Sequence, residues 1–182
     1  ALVFEAMGAG ALDVVKTPVL GPGGSLTGAQ PLLNKMATIR FIISAARPAA
    51  PPVVPVAAAA GRVLGVPPLV VIGCSTGGPR ALADIIRDLP PDCPAGVVVV
   101  QHIDRGFVAG LAEWLAGFTP LPVRLAEEGE RITPGVIHIA VSGNHLVLRP
   151  DRCFAYTPEP RDNPFRPSVD VFFASVAAHW PR

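Results

Sequence analysis

Short runs of apolar residues alternate with helical patterns over the last two thirds of the chain. Residues 69–73 are continuously apolar, and residues 95–103 contain four consecutive valines. Residues 80–89 and 108–118 place apolar side chains at helical spacing after each of these runs. Strands that are apolar without alternation are typical of a parallel sheet covered on both faces. The pattern therefore predicts a doubly wound α/β fold.

Further elements follow in the same region. Short strands are predicted at residues 121–126, 135–140, 145–150 and 153–158. The last two strands flank Pro150-Asp151, which indicates a β-hairpin. Residues 168–180 return to helical spacing. The predicted fold class is thus α/β, with an incomplete and mostly parallel sheet and one hairpin, and we find no internal repeat.

The beginning of the chain has a different pattern. Within residues 1–45 we predict a helix that stops at Gly8 or Gly10, a short strand over residues 12–15, and a second helix that starts near residue 30 and runs to 46. One strand and two helices cannot bury both faces of a sheet. We therefore interpret residues 1–45 as the C-terminal remnant of another domain.

The intervening segment is rich in proline and alanine. Residues 46–67 read ARPAAPPVVPVAAAAGRVLGVP. Proline favours extended backbone and removes hydrogen-bond donors, so this composition is typical of a semi-rigid linker. The chain accordingly divides into a remnant at 1–45, a linker at 46–67 and a main domain at 68–182.

Composition narrows the class of protein. The 182 residues are half hydrophobic and carry a formal net charge of +1, with basic residues scattered, which argues against nucleic acid or an anionic membrane as partner. Cys74, Cys93 and Cys153 form no CxxC pair, so a reducing compartment such as the cytoplasm fits best. The start of the chain lacks the features of a secretory signal. The longest apolar region, roughly residues 41–60, is interrupted by Arg47 and several prolines and is a poor membrane span.

The first buried strand ends in the turn GCSTGGP, residues 73–79, which has three interpretations. The glycines can simply connect a strand tightly to a helix, with Ser75 as a cap. Backbone N–H groups at the helix start can hold a phosphate, with Asp104 near the place of a ribose-binding acid. However, the spacing is GxxxGG and not GxGxxG. The pattern G-x-S-x-G also fits a nucleophilic serine on a tight turn.

A nucleophilic serine needs a base, because its free hydroxyl is barely reactive at neutral pH. Ser75 follows the first predicted strand, and His102 follows the next one. Because parallel strands end at the same edge of a sheet, the hydroxyl and the imidazole meet there if the two strands are neighbours. The other histidines have no comparable partner, and their spacing is not typical of a metal site. They are His138, His145 and His179.

Four motifs, in this order, resemble the catalytic domain of the chemotaxis protein-glutamate methylesterase (CheB) family. They are IGCSTGGPRAL, VVVVQHIDRGFVAGLAEWL, PGVIHIAVSGNHLVL and FRPSVDVFFASVA, and the resemblance extends from residue 69 to 182. The front segment VFEAMGAGALDVVKTP resembles the end of a response-regulator receiver domain, which precedes the linker in that family. More narrowly, the chain resembles methylesterases of chemosensory-like pathways with outputs other than flagellar swimming.

The resemblance implies a serine esterase of a two-component pathway in the cytoplasm. It places the family's nucleophile on Ser75 and its histidine on His102, and Thr76 also matches. Gly77 and Gly78 are expected to help shape the site and to offer N–H groups to an oxyanion. The implied reaction is hydrolysis of glutamate γ-methyl esters on chemoreceptor helices, and in addition deamidation of receptor glutamines. No cofactor or metal is expected, and a histidine kinase is the expected partner of the receiver part.

The sequence departs from the family at two places. The catalytic aspartate lies in a G-M-G-x-D-G motif after the RPSVD helix, and no such motif occurs here; Asp104, Asp162 and Asp170 do not match it. The phospho-acceptor aspartate of the receiver is also missing, and Lys16 stands one position earlier than the receiver lysine. We therefore expect the 182 residues by themselves to be inactive. A nucleotide-binding or regulatory α/β module that uses the glycine turn is the alternative.

Overall fold

A four-stranded parallel sheet forms the centre of the molecule. The computed structural model describes residues 2–44 and 65–181. The sheet has the order β3-β4-β6-β5, and its strands are β3 (Leu69–Cys74), β4 (Gly96–Gln101), β5 (Val123–Leu125) and β6 (Ile137–Ile139). The predicted doubly wound, mostly parallel architecture is thereby confirmed.

Strand β4 lies in the middle of the sheet and is buried along its whole length. Its four valines alternate between two cores, because successive side chains of a strand point to opposite faces. Val97 and Val99 face one core, and Val98 and Val100 face the other. A strand buried on both faces needs apolar residues at every position, which explains the unbroken valine run.

Helices cover one face of the sheet. They are α3 (Gly78–Arg87) and α4 (Arg105–Ala116), which follow β3 and β4 in the chain. Each presents an apolar stripe at helical spacing, with Leu82 and Ile86 on α3 and Leu111 and Leu115 on α4. The predicted helices near residues 80–89 and 108–118 are confirmed, with starts two or three residues earlier.

A hairpin and a helix cover the other face. Strands β7 (His145–Leu148) and β8 (Phe154–Thr157) pair antiparallel as predicted, and helix α5 (Val169–His179) packs against β7, β3 and β4. The second core lies between these elements and the sheet, and Phe154 and Phe172 are fully buried there. The sheet is therefore covered on both faces.

The N-terminal segment packs against this domain. Helix α1 (Leu2–Gly8) ends at Gly8, as predicted, and inserts Phe4 against Trp114 and Gly110 of α4. A Cβ at Gly110 would press on the Phe4 ring, so the small residue permits the contact. A two-stranded hairpin, β1 (Val19–Leu20) with β2 (Leu26–Thr27), and helix α2 (Ala29–Ser44) follow.

The strand predicted over residues 12–15 is wrong. This stretch is irregular, because its polar groups bond to the glycine turn and to themselves instead of a neighbouring strand. The Leu12 carbonyl accepts the N–H of Gly77, and the Asp13 carboxylate accepts the N–H of Val14. A short 3-10 turn, Pro22–Gly24, closes the β1–β2 hairpin.

Some predictions concern residues outside the described part. Residues 46–64 of the predicted linker at 46–67 lie outside the described part. The predicted end of the second helix, at 45–46, lies outside it as well. The division into remnant, linker and main domain therefore stays a prediction. No helix within 2–44 and 65–181 is long and apolar enough to cross a membrane.

Two of the remaining histidines are fully buried and have structural partners. The Nδ1 of His145 accepts the N–H of Ser168 at 3.1 Å, which ties β7 to the start of α5. On β6, His138 accepts the N–H of Thr133 at Nε2, and its Nδ1 lies 3.6 Å from Glu130 Oε1. Burial lowers the pKa of His138, and the Glu130 charge opposes this only in part. The fold therefore favours the neutral imidazole.

We predict that stability falls as the pH drops from about 7 to 5, and that His138→Gln weakens this fall. The unfolded imidazole takes up a proton near its ordinary pKa of about 6.5, while the folded one resists protonation. One such group contributes a slope of at most about 1.4 kcal/mol per pH unit. Urea unfolding at several pH values measures the free energy of unfolding and its slope with pH. An identical slope for both proteins would contradict the prediction.

Candidate active site

A cleft of about 740 Å³ opens at the carboxyl ends of β3 and β4. Three parts of the chain line it: the turns after the two strands, the loop before α5, and the N-terminal segment. The lining side chains that carry polar or aromatic groups include Ser75, Thr76, His102, Asp104, Phe165 and Arg166, with Asp13, Lys16 and Lys35 from the N-terminal segment. Such a position, beyond the carboxyl ends of parallel strands, is where open α/β sheets form their sites.

The strand register brings Ser75 and His102 to the same edge. Strand β3 pairs with β4 so that Cys74 is opposite Gln101, and Ser75 and His102 are the residues that follow. The N–H of His102 donates to the Cys74 carbonyl at 3.0 Å, so the ladder continues one step beyond the strands. The two strands are neighbours, which is the condition that the sequence analysis required.

The turn after Ser75 is held by the backbone and by one buried amide. The Ser75 carbonyl accepts the N–H of Gly78 at 2.8 Å and the Nε2 of Gln101 at 2.9 Å. Gly77 has a φ of 81°, in the left-handed region that favours glycine. The same Gln101 amide donates to the carbonyl of His102 at 3.2 Å. Gln101 thus links the backbones of both candidate residues, a role that the sequence analysis missed.

The imidazole of His102 lies against an aromatic ring. Phe165 stacks on it with 4.6 Å between the ring centroids and 9° between the planes. Within the described residues, the buried Nε2 of His102 has no hydrogen-bond partner. Burial lowers the pKa of His102; Asp170 acts in the opposite direction and Lys35 adds to the lowering. The ring is therefore neutral near pH 7, as a base must be.

Among the described residues, no hydrogen bond joins the side chains of Ser75 and His102. Both line the same cleft, and hydrogen bonds between nucleophile and base are often long before substrate binds. The neighbouring Cys74 does not compete as nucleophile. Burial raises the pKa of its thiol to about 12, so the reactive thiolate is scarce at neutral pH.

Thr76 and Gly77 contact the N-terminal segment. The Thr76 hydroxyl donates to Asp13 Oδ2 at 2.8 Å, and Asp13 also forms an ion pair with Lys35. The N–H of Gly77 donates to the carbonyl of Leu12 at 2.8 Å. The bonds of Thr76 and Gly77 join residues more than 60 positions apart in sequence, so no local pattern indicated them. They occupy turn groups that a phosphate or an oxyanion would otherwise use.

The acidic residues considered in the sequence analysis have other partners. Asp104 caps α4 by accepting the N–H of Gly106 and pairs with Lys16 at 2.9 Å. Its pKa is lowered chiefly by the Gly106 hydrogen bond and then by Lys16. Asp170 lies in the first turn of α5 and acts on His102 through its charge, and Asp162 is exposed. We assign none of them as the acid that orients the imidazole.

Comparison with known proteins identifies the family of the chain. Residues 70–182 match the family model of the CheB methylesterase. The crystal structure of the Thermotoga maritima CheB methylesterase catalytic domain is similar, with 40% sequence identity and a TM-score of 0.59 over 62% of this chain and 61% of that one. The family model covers more than half of the chain and includes both turns that line the cleft.

Two curated relatives extend the similarity to 98% of the chain. A protein-glutamate methylesterase/protein-glutamine glutaminase of Burkholderia thailandensis is 49% identical over 178 residues, which are 51% of its length. The corresponding protein of a group 3 operon in Pseudomonas putida is 48% identical over 179 residues, 52% of its length. The chain thus spans about half the length of the curated relatives it matches. On these grounds, the chain belongs to the CheB methylesterase family.

Proposed function

We propose that this chain supplies the nucleophile and the base of a protein-glutamate methylesterase. One observation carries the proposal: Ser75 and His102 follow neighbouring parallel strands and line one cleft. The substrate would be a glutamate γ-methyl ester on a chemoreceptor helix. The names of the relatives, which pair methylesterase with glutaminase, support the same acyl chemistry on an ester and on an amide.

In this mechanism the Ser75 hydroxyl attacks the ester carbonyl while His102 takes its proton. The tetrahedral intermediate collapses when the imidazolium returns that proton to the departing methoxide, which leaves as methanol. A water molecule, activated by the same imidazole, then hydrolyses the acyl-enzyme and releases the glutamate carboxylate and free Ser75. The neutral state of His102 that burial favours suits both steps.

The negative oxygen of the intermediate requires hydrogen-bond donors. Two glycines of the turn offer backbone N–H groups. That of Gly78 donates to the Ser75 carbonyl. The Gly77 N–H bonds to the Leu12 carbonyl, a contact between the turn and the N-terminal segment. We assign the Gly77 N–H to the oxyanion, which would replace the Leu12 carbonyl as its acceptor. Thr76, whose hydroxyl is bonded to Asp13, shapes the cleft beside it.

Membership of the family supports wider assignments. We infer that residues 1–45 are the end of a receiver domain through which a histidine kinase controls the enzyme, that 46–67 form a linker, and that the protein acts in the cytoplasm. Free cysteines in the described part support a reducing compartment. A nucleotide at the glycine turn is disfavoured, because Asp104, the candidate ribose-binding acid, caps α4 and pairs with Lys16.

We predict that Ser75→Ala and His102→Gln each lower ester hydrolysis by at least about 10³-fold, because both groups act in the same step. The measurement is methanol released from a chemoreceptor carrying labelled methyl esters, with the complete gene product that contains this chain. Ser25→Ala and His179→Gln, outside the cleft, serve as controls and should retain activity. Full activity of Ser75→Ala would overturn the proposal.

The position of the serine depends on a close approach between α3 and β4. Gln101 is buried, and its amide holds the Ser75 carbonyl. A Cβ on Gly78 would collide with the Gln101 amide oxygen and with the side chain of Cys74. The glycine at this position therefore leaves the space that Gln101 needs to reach the turn.

We predict that Gly78→Ala displaces Gln101 and slows the reaction of Ser75 with a fluorophosphonate by about 10-fold to 100-fold. Overpacking of this kind also destabilises the fold, by about 1–3 kcal/mol. Gly8→Ala is the matched control, because a Cβ there meets only an ordinary contact with Trp114. Adduct formation is followed by mass spectrometry at pH 7, in buffer without urea. An unchanged rate in a folded Gly78→Ala protein would contradict the role of Gln101.

A further inference from the structure

The Phe165 ring makes the closest aromatic contact of the candidate base. It lies nearly parallel to the imidazole of His102, with 4.6 Å between centroids. The two residues are 63 positions apart, and Phe165 comes from the loop between β8 and α5. The ring lines the cleft and is 54% exposed, although phenylalanine is usually buried. The ring therefore stacks on the imidazole of His102 and belongs to neither hydrophobic core.

Hydrogen bonds hold the backbone of the loop at and after Phe165. The N–H of Phe165 donates to Asn163 Oδ1 at 2.9 Å, within a tight turn. Immediately after it, the carbonyl of Arg166 accepts the N–H of Gly143 at 3.2 Å. Two residues further on, Ser168 caps the start of α5 and donates its N–H to buried His145. The backbone that carries Phe165 is thus tied to the rest of the domain just after this residue, at Arg166 and Ser168.

The imidazole depends on packing for its orientation. Its Nε2 is buried, and no hydrogen bond to this atom exists within the described residues. A ring without that hydrogen bond can rotate about its side-chain bonds unless a neighbour restricts its plane. We propose that Phe165 is a positioning residue, which fixes the plane of the His102 imidazole by stacking and shields one of its faces from water. This inference rests on the proposed function, in which His102 is the base.

Shielding also affects protonation. Burial is the largest cause of the lowered pKa of His102, and Phe165 contributes to that burial by covering one face of the ring. Removing the phenyl ring should therefore raise the imidazole pKa toward its ordinary value. The charged groups around the imidazole would stay in place, namely Asp170 on α5, Lys35 on α2, and the other cleft residues Asp13, Lys16, Asp104 and Arg166.

The first test measures the imidazole directly. NMR titration of His102 in the complete gene product compares wild type with Phe165→Ala, Phe165→Leu and Phe165→Tyr, and the His102→Gln spectrum assigns the signal. We expect a higher pKa in Phe165→Ala and a pKa close to wild type in Phe165→Tyr, which keeps the stacked ring. An identical pKa in wild type and Phe165→Ala would overturn the proposal, whether or not the protein proves to be an esterase.

The second test measures catalysis. We expect Phe165→Ala to lower kcat for methyl-ester hydrolysis about 10-fold to 100-fold, with little change in KM. Its ascending pH limb should move to higher pH, because the base must be neutral. Phe165→Leu fills the space without stacking, so its kcat should be little higher than that of Phe165→Ala. Phe165→Tyr keeps the stacked ring and should have most of the wild-type kcat. Phe173→Ala, which truncates an exposed ring on α5 outside the cleft, is the control.

The outcomes separate the two proposals. A change in KM alone, or full rescue by Phe165→Leu, would mean that Phe165 contacts substrate or fills space, and the positioning role would be wrong. If wild type hydrolyses no methyl ester and its Ser75 does not react with a fluorophosphonate, the proposed function fails. The NMR titration then still decides whether Phe165 controls the imidazole.

Discussion

The parallel pairing of β3 with β4 is the constraint on which the rest of the site depends. Its register sets Cys74 opposite Gln101 and therefore releases Ser75 and His102 at the same edge of the sheet. A parallel ladder of this kind is stable only when both faces are covered, which the helices α3 and α4 and the α5–hairpin layer accomplish. The apolar composition of the strands and the chemistry at their ends are thus two consequences of one arrangement.

The turn beyond that edge is held by groups distant in sequence. Gln101 bonds to the Ser75 carbonyl, and the N-terminal segment meets the turn through Leu12 and Asp13. The Leu12 carbonyl gives the Gly77 N–H a partner that the turn itself does not supply, and Gln101 and Asp13 add side-chain bonds to the Ser75 carbonyl and the Thr76 hydroxyl. The position of the hydroxyl is therefore a property of three segments together and not of the glycine motif alone.

The strands and the shared edge could be predicted, because unbroken β-branched runs and the rule that parallel strands end together are local and general. Phe165, Gln101 and Asp13 could not be predicted, since their contacts with His102, Ser75 and Thr76 in turn span 26 to 63 positions and have no local pattern. The supposed strand at 12–15 shows the reverse error. Its apolar residues suggested a ladder, but the backbone there bonds to the turn. Long-range hydrogen bonds thus determine the backbone conformation of residues 12–15, which local strand propensity predicted wrongly.

A double-mutant cycle tests the central claim, that Ser75 and His102 act as one unit. Hydrolysis of receptor methyl esters is measured in the complete gene product for wild type, Ser75→Ala, His102→Gln and the double variant. Residues that act in the same step show losses that do not add, so we expect the double variant to be no slower than the slower single variant. Losses that multiply would show that the two side chains act independently and would contradict the account.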